Sequence, residues 1–169
     1  QARQRFGQEH GALDPAVVFY MLREMGLSPE EAERMLYTKS GLLGVSGLSN
    51  DMRTLRSKAA ENTDARRAIE LFVYRITREI GSLIAALGGI DGLVFTTGIG
   101  ENDAATRVDV MARLPWTRLV LDERANPSGG PRISTESGPT AWIIPTNEEL
   151  MIVRQMRSVL GAAQTRLAS

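Results

Sequence analysis

One ten-residue run constrains this chain more than any other: Leu93-Val94-Phe95-Thr96-Thr97-Gly98-Ile99-Gly100-Glu101-Asn102. An apolar stretch breaks into two closely spaced glycines and then into a helix-forming segment. The pattern predicts a buried strand over 93–96, a tight turn, and a helix starting near Asp103 with Asn102 as its cap. Glycine lets backbone come close to a ligand. A helix opening at that point aims N–H groups at the same place. In α/β proteins, the carboxyl ends of strands are where such turns hold nucleotides. A second junction, Trp142-Ile143-Ile144-Pro145-Thr146-Asn147-Glu148-Glu149, repeats the strand-to-helix pattern and carries two carboxylates.

The rest of the chain supplies helices to cover such a sheet. Asp14-Pro15 reads as a cap followed by a first-turn proline, with Val17, Val18, Met21 and Leu22 as an apolar stripe and Gly26 as the stop. Ser28-Pro29-Glu30-Glu31 is a capping box opening a helix to about Leu36. Thr38 to Asn50, with Gly41, Gly44 and Gly47, reads as a loop, and 51–58 as a short helix. Ala65, Ala68, Ile69, Phe72, Val73, Ile76, Ile80, Leu83, Ile84 and Leu87 recur at helical spacing and predict a long helix that ends at Gly88-Gly89. Arg118 to Leu121 suggests a further strand, and Asn126 to Pro139 a polar excursion. Trp142 to Ile144 reads as a strand, and Thr146 with Glu149 as a capping box for a last helix to about Gln164. The order predicts an α/β fold in one domain. Trp116, Trp142 and the aromatics of the long helix are expected in the core.

Composition narrows the chemistry. Lys+Arg and Asp+Glu are equal at 20 each, which gives no overall attraction to nucleic acid or an anionic membrane. Cysteine is absent and histidine occurs once, at His10. Disulfides and thiolate metal sites are excluded, and a histidine-based triad is not expected within the chain. The first residues lack the apolar region of a secretory signal, and no apolar run is long enough to span a bilayer. The first residue is not Met, which fits a processed product or a piece of something longer.

The candidate site residues each have an alternative reading. Gly98, Ile99, Gly100, Glu101 and Asn102 could line a nucleotide pocket, or form a tight turn with an Asn cap. A dinucleotide fingerprint would need a third glycine, where Asp103 and Ala104 stand. Asp51 could accept bonds from ribose hydroxyls and Arg53 could stack on a purine, or the segment could be an ordinary capped helix start. With Glu149 paired to Thr146, Glu148 is left without a structural duty and could hold Mg2+, directly or through water.

Five blocks in order resemble acetate kinases: Gly11-Ala12-Leu13-Asp14-Pro15, Ser40 to Gly47, Ser49-Asn50-Asp51-Met52-Arg53, Val94 to Asn102, and Ile144 to Leu150. The resemblance covers the C-terminal domain of that family, from about Gly11 onward, with residues 1–10 a flexible or foreign segment. It implies a ribonuclease H-like fold of the actin, heat-shock chaperone and sugar kinase type, and phosphoryl transfer between ATP and acetate with Mg2+. It implies that Gly98 to Asn102 line adenosine, that Asp51, Met52 and Arg53 flank ribose and adenine, and that Glu148 is the magnesium-associated carboxylate. It also implies a cytoplasmic homodimer. Two departures follow. Gln8-Glu9-His10-Gly11 stands where the family carries Thr-Arg-Ser-Gly, so Glu9 takes the place of a catalytic arginine. The N-terminal domain, with the phosphate-gripping loop and acyl-site residues, is not in this sequence. A catalytically inactive nucleotide-binding or dimerisation module is therefore the alternative, and a nicotinamide oxidoreductase a third.

Overall fold

The structure, a computed structural model, describes residues 13–146 together with 150, 156 and 157. The chain divides into two compact units, Gln1–Ala86 and Leu87–Ser169.

The first unit is helical among the described residues. Helix α1 (Pro15–Arg23) starts as its sequence dictates: the Ala16 N–H donates to the Asp14 carboxylate at 2.9 Å, and Pro15 occupies the first turn. Helix α2 (Pro29–Thr38) has the complete capping box, with the Ser28 N–H donating to Glu31 and the Glu31 N–H to the Ser28 hydroxyl. The expected loop over Thr38 to Asn50 contains a short helix instead, α3 (Gly41–Ser46). Gly41 and Gly47 bracket it at φ 64° and 62°, a left-handed conformation that costs glycine little, so the evenly spaced glycines shape turns rather than loosen the chain. The Ser46 hydroxyl accepts the N–H groups of Leu48 and Ser49 and fixes the exit. Helix α4 (Met52–Lys58) follows, then α5 (Thr63–Leu87), which buries Ala65, Ala68, Ile69, Val73 and Ile84. A surface depression of about 200 Å³ is lined by Leu27, Glu31, Arg34, Met35 and Lys39.

The second unit is built on two parallel strands, β1 (Gly92–Phe95) and β2 (Thr140–Ile143), in the register Gly92↔Thr140 to Phe95↔Ile143. The Ile144 N–H, donating to the Phe95 carbonyl at 3.0 Å, extends the pairing one step further. Parallel strands need a long crossover. Here it carries α6 (Thr97–Asn102), α7 (Ala104–Ala112), a 3-10 turn at Pro115–Thr117 and α8 (Ala125–Ser128). Phe95, Val110, Met111, Leu114, Leu119, Ile133, Ala141 and Ile143 are its buried apolar residues.

Three expectations need correcting. Residues 118–121 do not form a strand: only Leu121 bridges, to Ser134, because Arg118 turns the chain at φ 61° and Asp122 already caps the next turn. Asn102 does not cap α7; Asp103 does, accepting the N–H groups of Ala105 and Thr106. Trp116, Trp142 and the aromatics of the long helix are not core residues: Trp116 is 59% and Tyr74 51% exposed, while Phe72 and Trp142 are half-buried. The α/β class stands, as a small parallel sheet with helices around it. Residues 1–10, the Asn147–Glu149 part of the expected capping box and nearly all of the last expected helix lie outside the described residues.

Candidate functional site

The carboxyl ends of β1 and β2 lie side by side and are tied together by side chains. Thr146, just past β2, meets Thr96 and Thr97, just past β1. The Thr96 and Thr146 hydroxyls share a hydrogen bond of 2.6 Å, and the Thr97 N–H donates to the Thr146 hydroxyl at 3.1 Å. Glu101 completes the junction. Its Oε1 accepts the Thr97 N–H at 2.7 Å, the Thr146 N–H at 2.8 Å and the Thr146 hydroxyl at 3.2 Å. A hydroxyl has one proton and two lone pairs. With the Thr146 proton directed to the carboxylate, its lone pairs receive the Thr97 N–H and the Thr96 hydroxyl. The Thr146 N–H, and after it the Thr97 N–H and Thr146 hydroxyl, hold the Glu101 carboxyl below its ordinary range, with desolvation opposing. Thr97 has a φ of 58°, in the left-handed region that a β-branched residue rarely enters.

The glycine turn is itself the short helix α6, so the two glycines acquire different duties. A Cβ added at Gly100 would lie 3.4 Å from the Phe95 carbonyl carbon; this glycine lets α6 pack against the end of β1. A Cβ added at Gly98 would meet no atom of the described residues within 4 Å. Gly98 therefore leaves an open surface that the fold does not need open. Asn102 closes the turn, its amide donating to the Gly98 carbonyl at 2.8 Å.

The turn is held from beneath by Arg107, a residue the sequence reading passed over. It is 2% exposed. One guanidinium nitrogen donates to the carbonyls of Gly100 (2.8 Å) and Glu101 (2.9 Å), the other two nitrogens to the side-chain and main-chain oxygens of buried Asn126. Burial pulls its pKa down, while nearby Asp103 pushes it up. The signal was present: Arg107, Val110, Met111 and Leu114 share the i, i+3, i+4, i+7 spacing of the buried face, so an arginine on that stripe must have carbonyl or carboxylate partners.

The first unit carries the other predicted residues. Asp51 caps α4, accepting from Arg53 N–H, Thr54 N–H and the Thr54 hydroxyl, and these bonds, that hydroxyl foremost, lower its pKa. Asp51 and Arg53 are exposed, whereas the Met52 side chain, 4% exposed, is a core residue. Glu148 and Glu9 lie outside the described residues. Among the described residues no three His, Cys, Asp or Glu side chains are grouped to hold a metal. No described helix is long and apolar enough to cross a membrane.

A small parallel sheet flanked by helices, with a glycine turn at its carboxyl edge, defines an α/β protein. The comparisons with known proteins then place it. The acetokinase family pattern matches residues 5–154. An acetate kinase of Rhodopseudomonas palustris is 53% identical over 153 residues, covering 89% of this chain and 38% of that protein. An acetate kinase of Rickettsia akari is 46% identical over 151 residues, 89% of this chain and 39% of its own length. The Porphyromonas gingivalis acetate kinase structure superposes with a TM-score of 0.79 at 35% identity, covering 91% of this chain and 40% of that one. A propionate kinase structure from Francisella tularensis gives 0.78 at 36%, covering 86% and 38%. The chain belongs to the acetokinase family. It spans about two fifths of the length of these relatives, and the nicotinamide alternative is dropped.

Proposed function

We propose that this chain is the nucleotide-binding domain of an acetate kinase, holding the adenosine end of ATP or ADP while a phosphoryl group moves between ATP and acetate in a longer protein. In that reaction an acetate oxygen attacks the γ-phosphorus, the bond to the bridging oxygen of ADP breaks, and acetyl phosphate forms. The observation that carries the reading is Gly98: a surface kept clear at the end of β1, in a turn held by Arg107 from below and Glu101 from the side. Ile99, Gly100, Glu101 and Asn102 form the rest of this adenosine-facing turn. The resemblance assigns the ribose and purine contacts to Asp51, Met52 and Arg53 of the first unit, where Asp51 and Arg53 are exposed and Met52 is buried. Mg2+ would offset phosphate charge when bound. A metal held by one carboxylate and the nucleotide's own phosphates needs no protein cage, and Glu148 is the carboxylate assigned to it. A homodimer fits the apolar side chains that α1 exposes, Phe19 and Tyr20 among them, and a cytoplasmic setting fits a chain without cysteine.

The two glycines give the test. Gly98→Val adds a side chain where no described residue lies within 4 Å, so folding is retained and ADP affinity, measured by calorimetry with Mg2+, falls at least about tenfold. Gly100→Val pushes into the end of β1 and lowers the melting temperature itself. Unchanged ADP affinity in a folded Gly98→Val protein sinks the assignment. The second reading, a nucleotide-binding or dimerisation module without turnover, is favoured by Glu9, whose charge would repel a transferring phosphoryl group.

A further inference from the structure

We propose that Glu101 is a positioning residue: its carboxylate locks the ends of the two strands together and so holds the glycine turn in the shape that accepts a nucleotide. The proposal rests on the nucleotide reading above. In the sequence Glu101 is one more residue of the adenosine-facing run. In the structure one of its oxygens, Oε1, receives three donors from two segments, one 4 and the other 45 residues away along the chain: Thr97 N–H, Thr146 N–H and the Thr146 hydroxyl. A carboxylate aimed at a nucleotide's phosphates would oppose them, whereas this one is engaged by the protein's own N–H groups. The second observation is Thr97, a β-branched residue at φ 58°. A strained conformation persists only where its surroundings over-determine it. The Thr97 N–H is held twice, by Glu101 Oε1 and by the Thr146 hydroxyl. Gly98 follows directly, so releasing the lock releases the residue that presents the open surface.

Because all three bonds fall on one oxygen, a neutral amide oxygen at the same position can replace it, while a methyl cannot. Glu101→Ala is expected to speed amide exchange at Thr97 and Thr146 by about tenfold or more, leave Val110 and Ile133 unchanged, and weaken ADP binding about tenfold. Glu101→Gln is expected to restore both readouts to within about threefold of the parent. Equal losses in Glu101→Ala and Glu101→Gln would show that the charge matters rather than the shared acceptor, and would overturn the proposal. So would unchanged exchange at Thr97 and Thr146 in Glu101→Ala. If Glu101→Ala does not fold, Thr146→Val removes the hydroxyl alone; faster exchange at Thr97 supports the lock and unchanged exchange refutes it. A parent chain that binds no ADP would refute the nucleotide reading, while the exchange measurements would still decide the lock.

Discussion

At the scale of single residues, the site separates groups that face outward from groups that hold them. Gly98 is outward-facing; Gly100, Asn102, Glu101 and Arg107 are supports. Arg107 is the most exacting of these, since a buried guanidinium must have partners for its N–H groups and here supplies partners to four oxygens. Arg107→Met keeps the apolar stem but leaves the carbonyls of Gly100, Glu101 and Asn126 without their donor. The Asn126 oxygens are buried and the Gly100 and Glu101 carbonyls part-buried; an abandoned buried acceptor costs on the order of 1 kcal/mol or more, so the variant should lose about 2 kcal/mol of stability in urea unfolding. A loss below about 0.5 kcal/mol would mean that water replaces the guanidinium without penalty.

At the scale of elements, the chain sets its helix starts with short acidic and hydroxyl caps, and these were legible. Asp14, Ser28 with Glu31, and Asp51 cap where their sequence context predicts. Their behaviour with pH follows. The Thr54 hydroxyl and the Arg53 N–H hold Asp51 below the ordinary value of 3.8, and the N–H groups of Ala125 and Arg124 do the same for Asp122. A group lowered in the folded state contributes its stability above the unfolded value and loses it as pH falls through the folded one. The melting temperature should therefore drop as pH falls below 3.8. The pair Asp51→Asn and Asp122→Asn keeps capping without titrating, and should flatten that drop; parallel curves for the pair and the parent would contradict it. Less legible were elements whose signals conflict. Gly41 and Gly47 looked like loop residues because glycine's left-handed conformation serves helix ends as well as flexible loops. Residues 118–121 had strand composition, yet the positive φ of Arg118 and the Asp122 cap leave too little extended chain to pair. Asn102 and Asp103 both suit a cap, and composition alone could not choose between neighbours. The roles of Glu101 and Arg107 depend on Thr146 and Asn126, 45 and 19 residues away, which no local pattern shows.

At the scale of the whole molecule, the family was legible because its motifs are short, ordered and tied to glycine turns, whereas burial was not. Leu83 and Leu87 keep the helical spacing of a core face but are 62% and 78% exposed. Val94, on β1, is half exposed in a parallel strand, an element that ordinarily has both faces covered. Under the proposed function, in a chain spanning about two fifths of its relatives' length, these are surfaces for further protein to cover. The glycine turn, by contrast, is internally braced within the second unit. Titration of the chain with ADP and Mg2+, followed residue by residue through its amide resonances, tests that most directly. The account predicts saturable shifts concentrated at Gly98 to Asn102 and at Thr146. No shift there, or shifts confined to the depression lined by Leu27, Arg34 and Lys39, would contradict it.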